Sequence, residues 1–250
     1  MKNLENKVAL VTGGNSGIGY AAAAVLAERG AKVIVTGRNK EALDRAEKEL
    51  NVTGIVADQS DLKSIDNLVV EVAAKFGKID TIFLNAGIAA FAPLESASED
   101  HFDSIMNVNV KGVYFTLQKL LPILNDGGSV IFNTSVNASI GMPNSSVYAA
   151  SKGAILSLNR VFATELAPRK IRINAISPGP VETPLYGKLG LEQAEVEGLG
   201  ALLGDKILLK RFGKAEEIGK TVAFLASDDS AFITGTEIVV DGGLIVNSVV

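Results

Sequence analysis

Short apolar runs alternate with longer helical patterns along this chain of 250 residues, and that alternation limits the folds open to it. The apolar runs are rich in β-branched residues and show almost no polar alternation, which is typical of strands buried on both faces of a parallel sheet. They cover residues 7–12, 31–36, 53–57, 79–85, 128–135, 171–177 and 236–240. Helices are predicted between them, at about 17–29, 39–49, 61–76, 109–124, 147–167 and 214–227. The sequence therefore predicts an α/β fold, a doubly wound parallel sheet of about seven strands with helices on both faces.

The chain is predicted to form a single domain over residues 1–250, because no stretch rich in Pro, Gly or Ser divides it. One segment departs from the alternation: residues 180–210 form a long connection between a strand and the last helix. Long connections within a compact domain are usually functional. We expect this segment to be a substrate-binding insert.

Composition excludes several classes of protein. The formal net charge is −4 and no run of basic residues exceeds two, so a nucleic-acid partner is not expected. Cysteine is absent, which excludes disulfides and thiolate catalysis, and the single histidine, His101, excludes a metal cluster or triad built on several histidines. The N-terminus lacks the features of a signal peptide, and no segment has the roughly 20 apolar residues of a membrane span. We expect a cytoplasmic protein with no metal site and no membrane partner.

Three glycines follow the first predicted strand, and an Ala-rich helical pattern begins among them. In such a turn one glycine adopts strained backbone angles, another lets a pyrophosphate reach the backbone, and the last packs helix against strand. The N–H groups at the start of the helix then face the phosphates. This pattern predicts a Rossmann-type dinucleotide site, although its G-x-x-x-G-x-G spacing differs from the usual G-x-G-x-x-G. The predicted residues of the turn are Gly13, Asn15, Ser16, Gly17, Ile18 and Gly19.

The end of the second strand indicates which dinucleotide binds. A site for NAD(H) usually has an acidic residue here for the ribose 2′-hydroxyl, whereas this chain has Gly37 followed by Arg38. A guanidinium can bind a 2′-phosphate through two hydrogen bonds, so NADP(H) is favoured. NAD(H) stays possible, because Arg38 could be solvated or could stack on the adenine. Asp58, after the third strand, could accept a hydrogen bond from the adenine amine.

Tyr148 and Lys152 are four residues apart on a predicted helix, so their side chains share one face. Alone, this pair could be an ordinary packing contact. Its position gives it weight, because Ser135 ends the preceding strand and the carboxyl ends of strands line the ligand crevice of a doubly wound sheet. The three side chains are therefore candidates for a catalytic group.

The order and spacing of these motifs resemble the short-chain dehydrogenase/reductase family over nearly the whole chain. The matching segments are TGGNSGIG (12–19), NAG (85–87), NVNVKGVYF (107–115), YAASK (148–152), SPGPVET (177–183) and FLASDDSAFITGTEIVVDGG (224–243). Ser135 lies 13 residues before Tyr148, which matches the family, although many members have two adjacent serines in this strand. The resemblance implies an NAD(P)-dependent oxidoreductase that interconverts a ketone and a secondary alcohol.

The resemblance also implies catalytic roles. Tyr148 would give a proton to the carbonyl oxygen during reduction, or take one in the reverse direction. Lys152 would bring the pKa of Tyr148 closer to neutral and bind the nicotinamide ribose. Ser135 would hydrogen-bond the substrate oxygen. Asn109 would hold a water that connects Lys152 to solvent, although an asparagine here could also be a helix cap.

Further binding residues follow from the same resemblance. The remaining cofactor-binding residues would be Asn85, Ala86 and Gly87 beside the fourth strand and Pro178, Gly179, Val181 and Thr183 near the nicotinamide. Residues 89–94, 136–144 and 185–207 are expected to shape the pocket for a small-molecule ketone or alcohol. Members of the family commonly form tetramers, and the helix at 147–167 and the tail at 243–250 have apolar faces suited to a homotetramer.

Two other functions stay open at this point. A 3-oxoacyl thioester reductase of fatty-acid synthesis would share nearly all these motifs, and Arg169, Lys170 and Arg172 give modest support for docking of an acidic carrier protein. A catalytically silent dinucleotide-sensing protein would keep the fold without the chemistry. The complete set of catalytic residue types argues against the second alternative.

Overall fold

The computed structural model describes residues 3–183 and 204–247, and its largest feature is one parallel sheet of seven strands. The strand order is β3-β2-β1-β4-β5-β6-β9, and every neighbouring pair is parallel. These strands are β1 (Val8–Val11), β2 (Lys32–Gly37), β3 (Thr53–Val56), β4 (Ile79–Leu84), β5 (Leu124–Asn133), β6 (Arg172–Pro178) and β9 (Glu237–Val240). Two short strands, β7 (Val181–Glu182) and β8 (Gly213–Lys214), pair separately.

Helices cover both faces of the sheet. They are α1 (Gly17–Glu28), α2 (Lys40–Leu50), α3 (Leu62–Phe76), α4 (Glu99–Met106), α5 (Val113–Leu120), α6 (Ser146–Leu166) and α7 (Ala215–Ala226), with a π-helix (Asn107–Gly112) between α4 and α5. One apolar core joins the sheet to α3, α5 and α6, and the other joins it to α1, α2 and α7. The prediction of a doubly wound α/β fold is confirmed.

Burial on both faces explains why the strands lack a polar alternation. Adjacent residues of a strand point to opposite faces, and here both directions lead into a core. Ile82 and Phe132 belong to the core with α3, α5 and α6, whereas their neighbours Phe83 and Ile131 belong to the other core. All four side chains are fully buried.

The helix predicted at 109–124 differs most from the structure. Helical backbone begins at Glu99, passes through the π-helix and ends at Leu120. The first part was missed because α4 buries only Ile105, so its apolar periodicity is weak. Its start is nevertheless well formed, since the Ser98 side chain accepts a hydrogen bond from the His101 N–H at 3.1 Å.

The strand order indicates which edge of the sheet can bind a ligand. The strand order reverses between β1 and β4, and such a switch point opens a crevice at the carboxyl ends of the strands. The glycine turn, Ser135 and the segment that begins at Gly179 all follow strands at this edge. The predicted insert at 180–210 lies largely outside the described residues. None of the described helices is both long enough and apolar enough to cross a membrane.

Candidate active site

The glycine turn after β1 is built by close backbone packing. Gly13 has a φ of +64°, in the left-handed region that favours glycine, and a Cβ there would lie 3.0 Å from the Ala86 Cα. A Cβ at Gly19 would lie 2.3 Å from the Gly13 carbonyl oxygen. The Ser16 side chain caps no N–H group of α1, so the first backbone donors of this helix are left without a side-chain partner at Ser16 and are available to a ligand. The turn therefore has the geometry that a pyrophosphate requires.

Asn85 ties β4 to this turn. Its Nδ2 donates to the carbonyl oxygens of Thr12 and Gly13 at 2.9 and 3.2 Å. The Thr12 hydroxyl in turn accepts from the N–H groups of Asn85 and Ala86, both at 2.9 Å. The NAG segment thus holds the shape of the cleft floor through hydrogen bonds within the protein.

A cleft of about 600 Å³ runs along the carboxyl edge of the sheet. All the residues predicted to be catalytic or to bind the cofactor line this cleft, except Gly19 and Asn109. Gly19 is buried behind the turn, and Asn109 is buried behind the loop that follows β4. The structure therefore brings the predicted cofactor residues and the predicted catalytic residues into one site.

Arg38 and Asp58 lie together at one end of the cleft. Arg38 is exposed, and its charge is one of the influences that lower the pKa of Asp58. Burial acts in the opposite direction, but the hydrogen bonds from Ser60 and the Arg38 charge outweigh it. A Cβ at Gly37 would lie 2.7 Å from the Asn15 Cγ, so a side chain at position 37 would crowd Asn15.

Ser135, Tyr148 and Lys152 meet at the other end. Ser135 lies two residues beyond the end of β5 and caps the short turn Val136–Ala138, and its hydroxyl forms a hydrogen bond with Tyr148 on α6. One turn further along α6, the Lys152 Nζ donates to the Asn133 carbonyl oxygen at 2.8 Å and lies 5.7 Å from the centre of the Tyr148 ring. The predicted pair on one helix face and the predicted serine at the strand end are in contact.

Burial controls the ionisation of this group. It lowers the pKa of Lys152 to about 8, so the ammonium form still predominates at neutral pH. It also raises the pKa of the Tyr148 phenol, while the hydrogen bond with Ser135 has a smaller, lowering effect. We expected Lys152 to bring the pKa of Tyr148 closer to neutral. In the structure the pKa of Tyr148 is raised instead, because the phenol is removed from water. At neutral pH Tyr148 carries its proton.

Asn109 lies in the middle of the π-helix rather than at a helix cap. Its Oδ1 accepts from the Ile88 N–H at 2.9 Å, and its Nδ2 donates to the Ile88 carbonyl at 2.9 Å and to the Ser151 hydroxyl at 3.1 Å. A Cβ at Gly87 would lie 3.1 Å from the Asn109 Oδ1 and 3.6 Å from the Lys152 Nζ. The Asn109 carboxamide therefore fixes the loop after β4 against α6, and Gly87 allows the close approach.

The sequence analysis did not single out Asn133. Its Nδ2 donates to the Asn85 Oδ1 at 2.9 Å, and its backbone carbonyl accepts from Lys152. Asn133 thus connects Asn85, which contacts the glycine turn, to Lys152. Its Oδ1 is buried without a hydrogen-bond partner, although the residue lines the cleft. A polar side chain at the end of the apolar run VIFN was the available signal.

These features fit a bound dinucleotide. The glycine turn leaves room where side chains would collide, and the Asn133 Oδ1 offers an unused acceptor beside Lys152. Arg38 and Asp58 would hold the adenosine end of the dinucleotide, and Lys152 would hold its nicotinamide end. Within residues 3–183 and 204–247, no three histidine, aspartate or glutamate side chains form a metal-binding group.

The comparisons with known proteins agree with this site. A family model described as enoyl-(acyl carrier protein) reductase matches residues 13–245. The 3-oxoacyl-[acyl-carrier-protein] reductase of Thermotoga maritima is 40% identical over 250 residues, which cover 97% of this chain and 99% of the relative. The crystal structure of levodione reductase is 36% identical with a TM-score of 0.88, and the match covers 96% of this chain and 98% of that one. A short-chain dehydrogenase/reductase from Serratia marcescens is 32% identical with a TM-score of 0.90, over 97% and 99% of the two chains.

The chain therefore belongs to the short-chain dehydrogenase/reductase family. It is an NAD(P)-dependent oxidoreductase that acts on keto or CH–OH groups. Its substrates are small molecules.

We expect Asn133→Leu to weaken binding of the reduced dinucleotide by about tenfold, because a buried hydrogen bond contributes about 0.5–1.5 kcal/mol and the link to Asn85 is also lost. Asn159→Leu is the matched control: Asn159 is buried on α6, also has an unpartnered Oδ1, and does not line the cleft. Titration of the cofactor fluorescence measures both affinities. Equal affinities in the two variants would contradict a cofactor role for Asn133.

Proposed function

We propose that this enzyme reduces a small ketone to a secondary alcohol and prefers NADPH as its cofactor. The observation that carries the proposal is the contact between Ser135 and Tyr148 with the Lys152 ammonium on the same helix face, in the cleft that the glycine turn begins. The catalytic residues are Ser135, Tyr148 and Lys152, with Asn109 as a positioning residue. The reduced nicotinamide, when bound, supplies the hydride.

Tyr148 acts as the proton donor in this mechanism. Its raised pKa keeps the phenol protonated at neutral pH, which suits the direction of carbonyl reduction. As the carbonyl carbon accepts the hydride, the carbonyl oxygen takes the phenolic proton and the O–H bond of Tyr148 breaks. The positive charge of Lys152 stabilises the phenolate that forms, and solvent returns the proton.

Ser135 polarises the carbonyl in the same step. Its hydroxyl is nearly buried and already contacts the Tyr148 hydroxyl, so one substrate oxygen can receive hydrogen bonds from both. Such donors stabilise the negative charge that develops on the oxygen in the transition state. The site therefore combines proton transfer with charge stabilisation at a single oxygen atom.

The preference for NADPH rests on the end of β2. Arg38 is exposed at the cleft, and no carboxylate stands at position 37 to repel a 2′-phosphate. The small Gly37 also leaves Asn15 in place beside it. Use of NADH would mean that Arg38 stacks on the adenine or stays in solvent.

The remaining predicted cofactor residues divide between the two ends of the cleft. Those of the glycine turn would hold the pyrophosphate, and Pro178, Gly179, Val181 and Thr183 would lie beside the nicotinamide. This assignment is supported because these residues line the same cleft as Lys152.

We further propose that residues 1–250 form one domain, since the strands of the sheet extend from Val8 to Val240. We also propose a cytoplasmic location.

A 3-oxoacyl thioester reductase is the second candidate, because the relative from Thermotoga maritima bears that name. Two of the three basic residues that gave it support have hydrogen-bond partners within the chain. Arg172 begins β6, at the opposite edge of the sheet from the cleft, and donates to Ser230, Leu225 and Ser227. Arg169 donates to Asp126 and to two backbone carbonyls. An acetoacetyl thioester serves as the test substrate for this candidate.

Replacing Tyr148 with Phe should reduce kcat for ketone reduction by about 10²–10⁴-fold, because the proton donor is lost. Affinity for NADPH should change little. Tyr114→Phe is the control, since Tyr114 is a partly exposed tyrosine outside the cleft. Initial rates of NADPH oxidation measure the effect, and near-normal turnover by Tyr148→Phe would exclude the mechanism.

Arg38→Leu should raise KM for NADPH by about 10–100-fold and leave KM for NADH nearly unchanged, because a charged hydrogen bond contributes about 1.5–3 kcal/mol. Arg45→Leu, an exposed arginine on α2 outside the cleft, is the matched control. Parallel kinetics with both cofactors test this assignment. If Arg38→Leu affects both cofactors equally, Arg38 does not select the 2′-phosphate.

We also propose that the enzyme is a homotetramer. An open apolar surface lies between the α4–α5 region and α6, lined by residues that include Val110, Tyr114 and Leu158. Val161, one turn along α6, is 47% exposed. Light scattering should give a mass about four times that of the 26.1 kDa chain, and Val161→Asp should lower it. A monomeric wild-type protein would refute the proposal.

A further inference from the structure

Apolar side chains form part of the described cleft wall near Tyr148, and two of the three charged groups that line the cleft lie at its other end. Among the described residues that line the cleft, the charged side chains are those of Arg38, Asp58 and Lys152. Arg38 and Asp58 follow β2 and β3, and β2 is three strand positions from β5 in the sheet. At about 4.8 Å for each strand spacing, this separation is about 14 Å. Neither group can reach a small substrate held by Ser135 and Tyr148.

Lys152 cannot serve as a general binding group for anions either. Its side chain is 6% exposed, and its ammonium already donates to the Asn133 carbonyl. The proposed mechanism also requires its charge for the Tyr148 phenolate. The described surface around the reacting oxygen therefore has no cation to spare for a carboxylate or phosphate on the substrate.

Phe91 forms the wall directly beside the proton donor. Its ring meets the Tyr148 ring edge to face, with centroids 6.0 Å apart and an angle of 83° between the planes. The Ala92 N–H donates to the Asn144 carbonyl at 2.8 Å, which joins the loop of Phe91 to the loop that carries Met142. Phe91 and Met142 both line the cleft, so these two connected loops present an apolar wall.

Leu244 forms another apolar wall, from the segment after β9. The Asp241 carboxylate organises this segment, since its oxygens accept from the N–H groups of Gly243 and Ile245, both at 2.8 Å. A backbone bond from the Leu209 N–H to the Gly242 carbonyl at 3.1 Å fixes the segment further. The Asp241 carboxylate thus binds backbone donors, while the isobutyl side chain of Leu244 lines the cleft.

The apolar wall and the position of the charged groups together indicate which ketones the cleft can bind well. Burial of apolar surface favours binding by about 25 cal/mol per Å², whereas an ionised group that loses water without a partner is strongly disfavoured. We propose that the wall formed by Phe91 and Met142 makes the enzyme prefer neutral, apolar ketones to keto acids of the same shape, and that Phe91 is a specificity-determining residue. This inference rests on the proposed function.

The test compares methyl levulinate with levulinate, because the two share one methyl ketone and differ in the charge at the far end. For the wild-type enzyme with NADPH, kcat/KM should be at least about tenfold higher for the ester. Equal or better use of levulinate would overturn the substrate class. Failure to reduce either ketone, or any other carbonyl compound, would instead overturn the proposed function on which it rests.

A charge introduced at the wall tests the role of Phe91. Phe91→Arg should raise kcat/KM for levulinate relative to the ester by at least about tenfold. Val70→Arg adds the same charge on the exposed side of α3 and should leave the ratio unchanged. Met142→Arg is the second variant, in case Phe91→Arg does not fold. An unchanged ratio in a folded wall variant that still binds NADPH, as measured by fluorescence titration, would refute the role of this wall in specificity.

Discussion

In the mechanism we propose, the site depends on the buried positive charge of Lys152. Its ammonium is held at the end of β5 by the Asn133 carbonyl, and the loss of water around it lowers its pKa to about 8. A buried ammonium is tolerable only where a polar partner compensates for lost hydration. The carboxyl end of a parallel strand supplies that partner, because the last carbonyl of β5 faces the cleft. The charge can then act on Tyr148 in a medium where electrostatic effects are stronger than in water.

Hydrogen bonds between the ends of neighbouring strands hold Lys152 and its partners in position. Three neighbouring strands contribute to one polar network: β1 through Thr12 and Gly13, β4 through Asn85, and β5 through Asn133. The π-helix adds Asn109, whose carboxamide holds the loop after β4 against α6. A π-helix commonly occurs at functional sites, because its extra residue redirects a side chain within an otherwise continuous helix. The cleft and α6 are therefore joined by hydrogen bonds as well as by packing.

The parts predicted well from the sequence were those with a strong periodic or local signal. The buried strands appeared as continuous apolar runs, and the pair Tyr148 and Lys152 appeared as a spacing on one helix face. Other features depend on contacts between distant segments, which a sequence pattern does not show. Asn133 was missed because its importance comes from two partners on other elements, and α4 was missed because it buries a single residue. The basic residues Arg169 and Arg172 suggested a docking surface for an acidic partner. In the structure Arg169 donates to Asp126 and Arg172 donates to Ser230, contacts that the sequence pattern does not show.

The most direct test of the central claim is the transfer of a labelled hydride. The enzyme would be supplied with NADPH that carries deuterium at one of the two C4 positions of the nicotinamide, together with methyl levulinate. We expect an alcohol with one deuterium on its carbinol carbon from one labelled form and none from the other, since a fixed cleft presents one face of the ring. Consumption of the ketone without deuterium in the alcohol from either labelled form would contradict the assignment of this site as a carbonyl reductase.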